Sequence, residues 1–110
     1  MARDALDLLP GTVDLLILRT LAWEPMHGYA VSRWIRSRTD DVLAVDDAAL
    51  YQALHRLERR GWVDAEWGLS ANNRRAKYYS LTSDGRKQLR AETALWRRYA
   101  EAVHRVLEPA

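Results

Sequence analysis

The stretch ALYQALHRLERRGW, residues 49–62, decides the reading of this 110-residue chain. At about 100° per residue, Leu50, Ala53, Leu54 and Leu57 share one side of a helix, and Gly61 supplies the stop. Asp47, just ahead, is expected to cap it, since a carboxylate can accept hydrogen bonds from the free first-turn amides. The opposite side collects Ala48, Gln52, His55, Arg56 and Arg59, with Tyr51 on the flank. Such a face is either solvated or the reading face of a binding helix.

Upstream, TVDLLILRTLAWEP has apolar residues at Val13, Leu16, Ile17 and Leu21. These predict a largely buried helix that starts after Pro10 and Gly11 and is ended by Pro25. After a turn at MHG, YAVSRWIRSR places Ala30, Val31, Trp34 and Ile35 on one side, with Arg33 and Arg36 away from them. DVLAV is a short strand or extended link. Downstream of Gly61 the period changes: Val63, Ala65 and Trp67 alternate with Asp64 and Glu66, as in a half-buried strand. LSANNRR reads as a turn and AKYYSLT as the returning strand, in which alternation from Leu81 turns Tyr79 inward. The result is a hairpin with an exposed basic tip.

Thr82 is a plausible N-cap for the last segment. There Leu89, Trp96, Tyr99, Val103 and Val106 recur at spacings suited to a helical seam, which either folds back onto its own domain or, as the sharper reading, is covered by a partner helix. Trp34 and Trp67 are expected in the core.

Composition bounds the function. Apolar residues make up 48%, ordinary for a globular domain. The formal charge is +2, with the acidic clusters TDD and VDD in the first half and basic residues thickening from Arg56 onward. That asymmetry permits an anionic partner without requiring one. No apolar run approaches the roughly 20 residues of a membrane span, and the N-terminal residues lack a signal peptide's apolar core. A cytoplasmic protein without membrane association is expected. Absent cysteine excludes disulfides and thiolate chemistry. His27, His55 and His104 are scattered, without paired metal-ligand spacing, and His27 and His55 suit structural or hydrogen-bonding roles. No nucleophile–base constellation or phosphate-cradling glycine loop occurs, so neither enzyme activity nor a cofactor is expected.

Three helices, a hairpin and a final helix make a mainly α fold with a small β-hairpin, the order of a winged helix-turn-helix. Such a fold sets its recognition helix in the major groove of double-stranded DNA. Gln52 can pair with adenine, arginines with guanine or phosphate, and the tip NNRRAK can hold phosphate oxygens. The segments LLPGTVDLLILRTL, MHGYAVSRWI, ALYQALHRLERRGWV and WGLSANNRRAKYYSLTSDGRKQL together resemble the PadR family of transcriptional regulators, in its short form with one C-terminal helix. The resemblance implies a DNA-binding part over residues 8–82 and a dimerisation helix over 83–108. It further implies a homodimer, usually a repressor, often released from DNA by a small molecule.

By position, Tyr51 matches the family's tyrosine beside the DNA backbone, and Asn73, Arg74, Arg75 and Lys77 match its wing. Two residues depart from the pattern. Ala49 stands where a small hydroxyl residue is usual, which removes one phosphate contact, and Gln52 stands where proline is frequent, which can shift base preference. The expected DNA-facing set is therefore Ala49, Tyr51, Gln52, His55, Arg56, Arg59, Asn73, Arg74, Arg75 and Lys77. Leu89, Trp96, Tyr99, Val103 and Val106 are the expected dimer seam. Trp96, near the middle of that seam, is also the candidate wall for a small aromatic effector. The competing expectation is a winged-helix module that binds protein, with its basic face serving an acidic partner.

Overall fold

A computed structural model describes Leu6, Leu8, Leu9 and residues 11–109. Pro10, expected just before the first helix, lies outside the described residues. The first helix, α1 (Thr12–Leu21), begins at Gly11, whose φ of 86° is left-handed backbone that glycine adopts without penalty. Ile17, Leu18 and Leu21 are buried, and the buried Thr20 hydroxyl donates back to the Leu16 carbonyl at 2.7 Å. The helix ends at Leu21, earlier than Pro25 alone would require. The residue before a proline is driven from helical backbone, and the chain uses the intervening residues to turn.

The expected turn at MHG is instead a strand, β1 (Met26–His27), paired antiparallel with the third strand through Met26↔Tyr79 and His27↔Tyr78. Two residues are too few for strand periodicity to register in sequence. His27 also caps α2 (Gly28–Arg38): its Nδ1 accepts from the Ala30 amide at 3.1 Å, and its ring meets Tyr78 edge-on. Val31 and Ile35 bury the inner side of α2. Thr39 closes that helix through its hydroxyl, which also accepts from the Leu43 amide, and Asp40 and Asp41 turn with φ of 49° and 64° before the buried Val45.

The next helix, α3 (Asp47–Arg59), is capped by Asp46 rather than Asp47, with Asp46 Oδ1 accepting from the Ala49 amide at 2.9 Å. Asp47 is already inside the first turn, where its charge still suits the helix dipole. Leu50, Ala53, Leu54 and Leu57 are fully buried. Gly61 takes a φ of 77°, and the Gly61 and Trp62 amides donate to the Glu58 and Leu57 carbonyls. These two bonds form the glycine-dependent C-terminal cap.

Strands β2 (Val63–Leu69) and β3 (Arg75–Leu81) form the hairpin, giving an antiparallel sheet of order β1-β3-β2. Val63, Ala65, Trp67 and Leu69 share a face with Leu81, Tyr79, Lys77 and Arg75. Tyr79 is buried on that face, as alternation from Leu81 predicts. Trp67 departs from expectation. It is 57% exposed, because the hairpin outruns the helices that cover Val63 and Tyr79. Trp34 packs partly buried against the core.

Finally, α4 (Ser83–Leu107) starts at Thr82, whose Oγ1 accepts from the Gly85 amide and donates to the Gly61 carbonyl. Leu89, assigned from sequence to an intermolecular seam, belongs to the chain's own core at 8% exposure. Gly85 and Leu89 are the buried residues of α4, and its middle turns run beside α1. Beyond Leu89, Trp96, Tyr99, Val103 and Val106 are exposed. No described helix is long and apolar enough to cross a membrane.

Candidate nucleic-acid interface

On α3, Gln52, His55 and Arg59 are exposed at helical spacing, next to Ala48. Two other members of the sequence-derived set turn elsewhere. Ala49 packs partly buried against the core, with its amide occupied by the Asp46 cap. Arg56 reaches back to α1, donating from Nε and Nη2 to the two carboxylate oxygens of Asp14. The hydrogen bond from that carboxylate raises the Arg56 pKa, so the guanidinium stays charged. Arg56 thus ties α3 to α1 instead of standing on the open face. A helical projection groups it with Arg59, and only the position of Asp14 separates them.

Tyr51 sits at the start of α3 with its ring edge against Gly28, the first residue of α2. A Cβ at Gly28 would stand 2.6 Å from the Tyr51 hydroxyl. The MHG and LYQ segments are thereby one device, in which a missing side chain makes the seat for a ring.

The hairpin turn is closed by the Ser70 amide donating to the Arg74 carbonyl at 2.8 Å. Asn73, within the turn, has a φ of 60°, a conformation asparagine tolerates better than most residues. It therefore has a conformational role whatever it contacts. Arg74 projects from the turn, exposed. Arg75 lies over the Trp67 ring, 4.6 Å from its centroid. Lys77 points inward, 3.4 Å from Glu58 of α3 and over the Tyr79 ring. Burial holds the Tyr79 hydroxyl above its ordinary pKa, with Lys77 acting against it.

These elements enclose an open cleft of about 900 Å³, lined by the start of α2, Tyr51 and the inner face of the hairpin. Of its lining, sequence reasoning placed only Tyr51, Arg75 and Lys77 at the site. Tyr29 and Arg33 are exposed on α2, with the guanidinium 5.7 Å from the ring centroid, and Trp67 completes the wall. The signal that could have found Trp67 is the strand register, which sets it opposite Lys77.

A second hollow, of about 430 Å³, runs between α1 and α4, lined by Leu9, Gly11, Thr12, Leu15, Glu92, Leu95, Trp96 and Tyr99. The Trp96 and Tyr99 rings lie 6.1 Å apart. Glu92 Oε2 is buried there with no hydrogen-bond partner. Burial, then the charge of Asp14, raises the Glu92 pKa, opposed by a hydrogen bond with Gln88 and by Arg60. Among the described residues no group of histidines and carboxylates is placed to hold a metal ion.

The fold has close relatives. A transcriptional regulator from Clostridium thermocellum superposes with a TM-score of 0.82 at 28% identity, over 89% of this chain and 95% of that one. A PadR-family regulator from Eggerthella lenta shares 32% identity at a TM-score of 0.75, over 91% and 85% of the two chains. One from Clostridium difficile shares 26% at 0.77, over 89% and 100%. The family of PadR-like transcriptional regulators matches in sequence over residues 17–91. With the family match over most of its length and the helix order and sheet in agreement, this chain belongs to the PadR-like family of transcriptional regulators.

Proposed function

We propose that this regulator is a sequence-specific repressor that binds an inverted repeat as a homodimer. The observation carrying the proposal is the exposed row Gln52, His55 and Arg59 on a helix whose Tyr51 shares an open cleft with a basic hairpin; in this reading the cleft takes one phosphodiester strand. In this reading α3 enters the major groove, where Gln52 is suited to adenine and Arg59 to guanine or phosphate. Tyr51 and Arg74 serve the backbone, Lys77 adds positive charge to the cleft while held by Glu58, and Asn73 shapes the turn that presents Arg74. Arg56 contributes by holding α3 to α1, and Ala49 by packing. Residues 8–82 carry the DNA-facing part and 83–108 the dimerising helix, although the first turns of that helix complete the core.

The exposed Trp96, Tyr99, Val103 and Val106 form a seam that a second α4 would cover, setting two α3 helices about one DNA turn, ~34 Å, apart. The hollow beside Trp96 supports an aromatic effector as a second element of the proposal. Such a ligand acts only if it prefers a subunit arrangement unsuited to DNA.

Titration of the protein against genomic fragments tests the proposal. One fragment, with dyad symmetry, should bind far better than random duplex, and the protein should silence transcription from it. Gln52→Ala should cost about 1–3 kcal/mol at one base position, whereas Arg74→Ala should weaken all duplexes and flatten the salt dependence by roughly one unit. Equal affinity for every fragment would overturn specific DNA binding and favour a protein-binding module.

A further inference from the structure

Trp67 has no role in the core. It is 57% exposed, on the sheet face where Val63 of the same strand and Tyr79 of the paired strand are buried. Its ring carries Arg75 at 4.6 Å, the shortest of the cation–aromatic contacts among the described residues. The two faces of the hairpin differ in charge. Trp67, Arg75 and Lys77 share the face turned to the cleft, while Asp64 and Glu66 share the other. The two basic neighbours on the hairpin are differently placed: Lys77 is engaged by Glu58, and Arg74 lies in the turn itself. Among the described residues no carboxylate pairs with Arg75.

We propose that Trp67 is a positioning residue that holds Arg75 as a probe of the DNA minor groove, so that the protein reads the A·T content of the DNA flanking each half-site. This rests on the DNA-binding reading above. On B-DNA a groove is bounded by phosphate strands, so a protein with α3 in the major groove and one strand in the cleft sets the outer hairpin over the neighbouring minor groove. Narrow A·T-rich minor grooves carry an enhanced negative potential that attracts arginine. Their floor presents acceptors only, whereas G·C pairs add a donor that opposes a guanidinium. Held over the indole, the Arg75 guanidinium donates to no other side chain among the described residues, so its N–H groups remain available to a groove floor. An arginine already held in place loses less conformational freedom when it enters the groove.

The test is fluorescence anisotropy on duplexes with identical half-sites and either A-tract or G·C flanks. The wild type should prefer A-tract flanks several-fold. Trp67→Ala should lose about two- to fivefold in affinity for the A-tract duplex, the fold-change an exposed cation–aromatic contact is worth. Its preference for A-tract flanks should shrink with it. Trp67→Tyr, which keeps a ring face, should restore most of both and also serves if the alanine variant melts early. The double variant with Arg75→Ala should lose no more than Arg75→Ala alone. A Trp67→Ala protein that keeps the flank preference, or losses that simply add, would overturn the inference while leaving operator binding intact. A wild type that discriminates operator from random duplex but ignores the flanks would do the same. A wild type with no operator preference would overturn this inference together with the reading beneath it.

Discussion

Replacing Gly85 by alanine tests how α4 is seated. Gly85 is buried in the first turn of α4, and a Cβ there would collide with the Trp62 carbonyl oxygen and stand 2.7 Å from Leu81 Cδ1. The Leu81 methyl can rotate away, but the Trp62 carbonyl is backbone and already accepts from the Thr82 amide at 3.1 Å. Relief therefore requires α4 to back away from the start of β2. That strains the Thr82–Trp62 bond together with the Thr82 hydroxyl, which bridges the Gly61 carbonyl and the Gly85 amide. Overpacking costs about 1–3 kcal/mol, and the weakened cap and hydrogen bond about 1 kcal/mol each. Alanine's higher helix propensity returns up to ~1 kcal/mol. The net expectation is a loss of about 2–4 kcal/mol, a large share of the ~5–15 kcal/mol typical of a small protein. In thermal melts at matched protein concentration, that corresponds to a fall in Tm of roughly 10–25 °C. A Gly85→Ala protein melting within a few degrees of wild type would refute the rigid docking of α4 on Trp62.

Three further outcomes follow from the same packing. Gly28→Ala should unseat the Tyr51 ring, a movable group, and so change stability by less than about 1 kcal/mol; operator affinity should fall about fivefold, roughly one phosphate hydrogen bond. Equal operator affinity in mutant and wild type would show that the Tyr51 seat does not serve DNA. Glu92→Gln should raise Tm at neutral pH: burial raises the folded-state Glu92 pKa, so stability falls as pH rises from the ordinary carboxylate range through that raised value. Below that range both proteins carry a neutral group and the difference should vanish; a gain that persists in acid would point to packing instead. Val103→Glu, on the outer seam of α4, should sediment as a monomer with an unchanged helical signal, and a variant that stays dimeric would move the interface off this face.

How much of this could be read in the sequence depended on the range of the interaction. The faces of α3 were legible because Leu50, Ala53, Leu54 and Leu57 follow the helical period, and the stop at Gly61 because left-handed backbone favours glycine. The inward turn of Tyr79 followed from strand alternation. Local rules failed where a distant partner decides. Arg56 and Arg59 are alike in sequence and three residues apart, yet Asp14, forty-two positions before Arg56, draws one of them inward. Leu89 and Trp96 repeat at the spacing of a continuous seam, but the domain covers only the first, so one periodic pattern serves a core and then an exposed face. Trp67 reverses the error: alternation assigns it correctly to the inner face of its strand, and only the length of the hairpin leaves that face open. Periodicity identifies which residues share a side. Whether that side meets core, solvent or DNA is set by how far the neighbouring elements extend, and at Arg56, Leu89 and Trp67 that extent converts similar sequence signals into a tie, a core residue and an exposed ring.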